Sequence, residues 1–480
     1  MSLLEGREEF DSVLALVTRE AARYLAEVDE LPVRQHGAED AANSFGGALP
    51  EEGAGAVEAL SALVGEGFEA TIASGGPRFF HWVIGGTTPA ALGADWLAST
   101  LDQNAAAWDS SLLGARLEVV AIDWLKELFG LPASWGGVLT TGATMANFTG
   151  LAAARRWWGE RHGVDVDEEG LAGLPRVPVL TSGYIHASAF KALAMLGIGR
   201  ASVRMFTQDG IGRLDVAALD DALRNLGGGP AIVVANAGEV NAGDFDPIAD
   251  MAELAEGHGA WLHVDGAFGL FAALSTRTQH LVDGVARANS VTSDAHKWLN
   301  VPFDCGFALV RDAAALEQTF RVTAAYLPEP DPGRPHLASL GPESSRRARS
   351  LAVWATLQAY GRRGYRELVE RHLDLAQRLA RRVDDAPDLE RLAEVPLNIV
   401  CFRYRPEGFP ENELDDLNAR LGADALADGR VYVGTTLYEG RVAFRPAIVN
   451  WRTREEDVDL LVEVLRELGQ KLVGLGQSRA

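Results

Sequence analysis

The stretch 261–269, Trp261-Leu262-His263-Val264-Asp265-Gly266-Ala267-Phe268-Gly269, runs from an apolar β-like segment into an aspartate and then a glycine turn. It belongs to a series of short β-rich runs at 177–181, 201–206, 231–235, 261–265, 290–293 and 306–310, interleaved with helical patterns at 144–161, 187–196, 215–226 and 247–257. Such alternation predicts an α/β domain around a largely parallel sheet. In a sheet of that kind ligands bind outside the carboxyl ends of the strands, so Asp265 stands where a carboxylate would face a ligand. For that residue alone, an N-cap on the following turn is an equal reading.

Working outward, Ser293-Asp294-Ala295-His296-Lys297-Trp298-Leu299-Asn300 sets a lysine at the mouth of the same sheet. Most lysines are solvated surface groups, so Lys297 gains meaning only from partners elsewhere. One candidate is Leu139-Thr140-Thr141-Gly142-Ala143-Thr144-Met145-Ala146-Asn147, which passes through glycine into a helix whose free N–H groups suit a phosphate, or which simply caps that helix. Another is His186 in Tyr184-Ile185-His186-Ala187, at a strand-to-helix junction where a structural histidine is the commoner case. Taken together the pieces satisfy pyridoxal phosphate chemistry. That cofactor needs a lysine for a Schiff base (Lys297), a carboxylate for the pyridine nitrogen (Asp265), a phosphate cup (Gly142, Ala143, Thr144), and flat or small groups against the ring (His186, Ala267).

Composition sets the bounds. With 480 residues, 47% of them hydrophobic, the chain can bury a large core in two or three domains. The expected division is a helical segment over 1–85 that packs on a dimer partner, a large α/β domain over 86–360, and a small α+β domain over 361–480, with strands near 398–404, 431–434 and 441–445 and a closing helix over 455–473. A formal charge of −23 argues against nucleic acid and anionic membranes as partners. No run approaches the roughly 18 apolar residues of a membrane span. The start carries Glu5, Glu8, Glu9 and Asp11 in place of a basic then apolar leader, so a cytoplasmic protein is expected. Cys305 and Cys401 lie far apart in apolar runs and read as buried thiols, with no metal site expected.

With these residues in hand, the chain resembles the group II pyridoxal-phosphate-dependent amino-acid decarboxylases (the aromatic-amino-acid, glutamate and diaminobutyrate decarboxylases). The resemblance runs over nearly the whole length: Pro77-Arg78-Phe79-Phe80, the turn 141–147, His186, Ala235-Asn236-Ala237-Gly238 with Phe245-Asp246-Pro247, His263-Val264-Asp265, His296-Lys297-Trp298, Arg346-Arg347-Ala348-Arg349 and Phe444-Arg445-Pro446. It implies the PLP-dependent transferase fold type I (aspartate-aminotransferase-like), decarboxylation of an L-amino acid to the amine and CO2, and a homodimer with shared active sites. Lys297 would carry the cofactor, Asp265 would keep its ring nitrogen protonated, and His186 and Ala267 would lie on opposite ring faces. Gly142, Ala143 and Thr144 would hold the phosphate with His296 as an addition, and Arg445 would meet a substrate carboxylate or else make a domain-packing salt bridge.

Departures from the family pattern qualify this. The stretch 327–345 lacks the tyrosine that many members use to protonate the substrate carbon; His336, or Tyr326 just before, is the available replacement. That leaves aldehyde synthesis or transamination on the same fold as the alternative reaction. Glu239 stands where relatives often have threonine, and Asp294 where some have asparagine near the phosphate, which is unfavourable unless the carboxylate turns away or is paired. Phe79, Phe80 and Trp82 fall in the region that lines the side-chain pocket of relatives and favour an aromatic or apolar substrate, or are core packing, while His81 favours a polar or acidic one. A non-catalytic scaffold would have no need of Lys297, Asp265 and His186 together. A nicotinamide enzyme would show Gly-x-Gly-x-x-Gly after its first strand, and none is present.

Overall fold

Strands that are apolar at every position must be covered on both faces, and that requirement organises the larger part of the molecule. The computed structural model describes residues 9–322 and 334–477. Strands β1 (Gly136–Thr140), β2 (Val179–Thr181), β3 (Val203–Met205), β4 (Ile232–Asn236), β5 (Trp261–Asp265), β6 (Ser290–Asp294) and β7 (Gly306–Val310) form one sheet in the order β1-β7-β6-β5-β4-β2-β3. β2 to β6 pair in parallel, whereas β7 is antiparallel to both β1 and β6. Every residue of β4 to β7 is buried. Along β4 the side chains alternate between two cores, Ile232 and Val234 on one face and Val233 and Ala235 on the other.

Helices α1 (Glu9–Glu27), α2 (Ala38–Ser44) and α3 (Ala56–Glu69) precede the sheet. Helices α4 (Pro89–Leu101), α5 (Leu112–Leu128), α6 (Ala143–Glu160), α7 (Ala187–Met195), α8 (Val216–Asn225), α9 (Ile248–His258) and α10 (Ala313–Thr319) accompany its strands. The register brings the functional ends together: Asn236 pairs with Asp265, Asp265 with Thr292, Asp294 with Gly306, and Gly306 with Thr140. The turn between β6 and β7 carries Lys297, so the lysine rises from the same edge as Asp265 and the start of α6.

Helix α11 (Ser350–Asp384) leads from this sheet to a smaller antiparallel one, and Gly361, at φ 59° and ψ −175°, breaks it in the middle. The second sheet, in the order β10-β11-β9-β8, contains β8 (Leu389–Arg391), β9 (Phe402–Tyr404), β10 (Thr435–Tyr438) and β11 (Arg441–Phe444). Phe402, Phe444 and Leu461 pack between it and helices α12 (Leu414–Asp428) and α13 (Glu455–Gln477). The expected α/β sheet with a smaller α+β unit is therefore present. The expected strand at 431–434 is not: Tyr432 makes a single bridge to Phe79, and the strand begins at Thr435. Val431 and Val433 are fully buried as core side chains, which is why the segment reads as a strand.

Residues near 80 are stitched into this smaller unit. Phe80 donates its N–H to Tyr432 O at 2.8 Å and accepts from Ala447 N at 3.0 Å. Its ring is buried in the core of the small sheet, a packing position and not a pocket wall. Both cysteines are buried free thiols.

Candidate active site

Asp265 closes β5 with its side chain 5% exposed. Its Oδ1 accepts the Ala267 N–H at 3.1 Å and its Oδ2 accepts Asn147 Nδ2 at 2.7 Å. Asn147, one turn into α6, also reaches Ser188 Oγ at 3.2 Å, and its Oδ1 accepts from His263 Nε2 at 2.9 Å and Thr292 Oγ1 at 2.8 Å. His263 is wholly buried, and burial pulls its pKa down to about 4, so the imidazole is neutral.

His186 caps α7, its Nδ1 accepting the Ser188 N–H at 3.2 Å and lying 2.7 Å from Ser188 Oγ. Burial is the main cause that holds its pKa below the ordinary value; Lys297 and Arg445 act in the same sense, and Asp265 and Asp294 oppose. These four charges come from β5, β6, the turn after β6 and the end of β11, so His186 marks the point where both sheets meet.

Lys297 Nζ lies 3.0 Å from Asp294 Oδ2 and 5.8 Å from the centre of the Phe268 ring. Asp294 Oδ1 accepts the Ala143 N–H, the first amide of α6, at 2.5 Å. The carboxylate that departs from the family pattern is thus paired on both sides. At that helix start the N–H groups of Thr144 and Met145 have no acceptor within the helix. His296 stacks on Phe303 at 4.2 Å, and its buried Nδ1 has no hydrogen-bond partner. Backbone approach at this corner requires glycine, because a Cβ on Gly306 would lie 2.6 Å from Gly142 Cα.

An aromatic group lies at 79–82 and 432. Phe79 stacks on Tyr432 at 5.1 Å, and His81 lies 4.7 Å from the ring of Trp82, which is exposed. Trp82 and Val83 both adopt positive φ, 59° each, an uncommon state for non-glycine residues that occurs at ligand clamps. Burial, aided by Arg445, brings His81 to a pKa of about 4. Arg445 donates to Val240 O at 3.0 Å, and among the described residues no carboxylate ion-pairs with it, so the salt-bridge reading of this arginine is not realised. Glu239 turns back on its own loop, accepting from Asn241 Nδ2 at 2.5 Å and Ala242 N at 2.8 Å.

The structure gathers Lys297, Asp265, His186, His296, Ala267 and the 142–144 turn at one edge, with Arg445 acting on His186 and His81 from the end of β11, while Phe79 packs on Tyr432 and Phe80 in the small-sheet core. His336 places its Nδ1 3.3 Å from Ser339 Oγ. Tyr326 and the first part of the 327–345 stretch lie outside the described residues. Sequence reading gave Asn147 no individual role; its only signal was an amide one turn past a glycine-led helix start.

Residues 67–405 match the pyridoxal-dependent decarboxylase conserved domain. The chain is 29% identical over 437 residues to an aromatic-L-amino-acid decarboxylase of Bacillus atrophaeus, covering 90% of this chain and 89% of that one. It is 31% identical over 430 residues to an L-2,4-diaminobutyrate decarboxylase of Rhizobium meliloti (strain 1021), covering 88% and 84%. In three dimensions it is similar to the crystal structure of Oryza sativa TDC with PLP and tryptamine, with a TM-score of 0.89, 25% identity, and coverage of 98% and 99%.

Proposed function

The chain belongs to the pyridoxal-dependent decarboxylase family, and from that premise we propose how its own residues serve the reaction. The protein is a PLP-dependent amino-acid decarboxylase, a carboxy-lyase: the substrate's carboxylate leaves as CO2 and a proton takes its place on Cα. Its residues fit the cofactor, since the orphaned His296 Nδ1 and the open amides of α6 are donors awaiting an anion, beside a lysine and a buried aspartate. Pyridoxal phosphate, when bound, supplies an electron sink for the pair released as a bond to Cα breaks.

Lys297 would hold the cofactor covalently, and Gly142, Ala143, Thr144 and His296 would hold its phosphate. Asp265, kept in place by Asn147 and the Ala267 amide, would hold a proton on the ring nitrogen. His186 and Ala267 would face the ring. Arg445 binds and orients a substrate carboxylate; its guanidinium is partly buried, and its hydrogen bond goes to a neutral carbonyl. The rings of Phe79, Trp82 and Tyr432 favour an aromatic L-amino acid, and His81 is the member of the group that favours a polar or acidic one.

We also assign 86–360 and 361–480 to large and small domains and place the enzyme in the cytoplasm as a homodimer. Among the described residues no helix is long and apolar enough to cross a membrane. Exposed apolar side chains on α1 and α3, among them Phe10, Leu14 and Leu63, support a second copy covering the 1–85 segment.

The observation that carries the reading is the meeting of Lys297, Asp265, His186 and the start of α6 at one sheet edge. It is tested by incubating the protein with pyridoxal phosphate and a panel of L-amino acids while following CO2, amine, aldehyde and hydrogen peroxide. CO2 with a stoichiometric amine from an aromatic substrate is expected; aldehyde with peroxide would replace the simple decarboxylase by an aldehyde synthase.

A further inference from the structure

We propose that Asn147 is a positioning residue that fixes the acceptor face of Asp265 and, through the Ser188 hydroxyl, strengthens the Nε2-protonated form of His186. The proposal rests on the reading of Asp265 and His186 given above. Asn147 is completely buried, and its amide is saturated: two N–H bonds donated, to Asp265 Oδ2 and Ser188 Oγ, and two accepted, from His263 Nε2 and Thr292 Oγ1. An amide can make no more than this. Turning it over would set its oxygen against the Asp265 carboxylate and its NH2 against the Thr292 and His263 donors, so one orientation is specified.

Direction then follows from both ends of a buried chain. At the far end Trp261 Nε1 can only donate, and it does so to Ser290 Oγ at 3.0 Å. Ser290 in turn donates its hydroxyl proton to His263 Nδ1 at 2.7 Å, which leaves the His263 proton on Nε2, facing the Asn147 oxygen. A neutral His263 carries one ring proton, and this arrangement uses it.

The second amide proton of Asn147 goes to Ser188 Oγ, so the Ser188 hydroxyl is free to donate to His186 Nδ1, beside the Ser188 backbone N–H. Two donors at Nδ1 leave the His186 proton on Nε2. Which ring nitrogen is protonated is set by what the other one accepts; here the Ser188 backbone N–H makes Nδ1 the acceptor, and the Ser188 hydroxyl that Asn147 orients reinforces it. One residue thereby ties a carboxylate on β5 to an imidazole at the head of α7, and nothing in the chain need touch the substrate.

The test uses apo-protein labelled with 15N-histidine, in which two-bond 1H–15N spectra report the tautomer of each ring and His186→Gln assigns the signal. Wild-type His186 is expected as the Nε2–H form. Ser188→Ala, which removes the hydroxyl but leaves the backbone N–H on Nδ1 and Asn147 in place, should raise the Nδ1–H fraction of His186 and lower kcat about tenfold with KM within threefold; Asn147→Ala should lower kcat about a hundredfold. A wild-type His186 protonated on Nδ1, or a Ser188→Ala protein with unchanged tautomer and kcat, overturns the proposal. The expected tautomer response in a protein that decarboxylates no amino acid would uphold the hydrogen-bond chain and overturn the functional reading instead.

Discussion

Lys297 and Asp265 enter the site from neighbouring strands of one sheet, yet they answer to different tests. Lys297 is the amine at the site, 3.0 Å from Asp294. Lys297→Ala is expected to abolish turnover and the visible absorbance of covalently held cofactor; an unchanged spectrum in that variant would remove Lys297 from its role. Asp265→Asn keeps the shape but removes the anion and leaves one acceptor for the two donors Ala267 N–H and Asn147 Nδ2, so the cofactor should remain bound while kcat falls by about two orders of magnitude or more. Stopped-flow single turnovers would separate the two effects, and near-normal kcat would place control of the ring nitrogen elsewhere. Asp265 was legible in the sequence because it closes a largely apolar run, a strand end in a parallel sheet being a functional address, and Lys297 because Asp265, His186 and the 142–144 turn are the partners such a lysine needs. The Asn147 to His263 contact was not legible, since it joins residues 116 positions apart through the interleaving of α6 with β5.

Elements carry constraints that single side chains do not. Helix α11 bends at Gly361, whose φ of 59° and ψ of −175° belong to a region that only glycine occupies comfortably. A Cβ there would meet no atom within 4 Å, so the cost of Gly361→Ala is backbone strain alone. A loss of about 1–3 kcal/mol in urea unfolding is expected; an unchanged midpoint would show that the bend relaxes freely. Gly85 is limited by contact instead, because a Cβ at this position would fall on the Lys297 carbonyl. Gly85→Ala should displace the lysine turn and weaken cofactor retention on dialysis about tenfold or more, in a protein that remains folded by circular dichroism. The strands at 261–265 and 306–310 were readable in the sequence as short apolar runs. The apolar segment at 431–434 was misread because burial, not ladder pairing, explains Val431 and Val433, and of the two readings open for Phe80 its place in the small-sheet core supports packing.

At the scale of the whole molecule, acid should be destabilising. Burial holds His263 at a pKa of about 4 and His372 at about 3, where His372 accepts from Trp298 Nε1 at 2.9 Å and donates to Asn450 O at 3.0 Å. The unfolded chain protonates these histidines near pH 6.5, before the folded one does, so stability falls as pH drops from about 6.5 toward 4. Asp246 acts in the opposite sense: burial raises it to about 6, so the folded state takes up that proton first. Two histidines against one aspartate predict a net decline in the urea midpoint between pH 7 and 5, and a rising midpoint would refute the assignment. The placement of Lys297 after β6 and of Arg445 after β11 puts them on separate sheets, encoded about 150 residues apart. On the proposed reading, Lys297, Asp265 and His186 are written in the middle third of the gene and the substrate contacts Phe79, Trp82 and Arg445 toward its two ends, so a lineage can change the amino acid it takes by altering the flanks while the chemistry between them is inherited untouched.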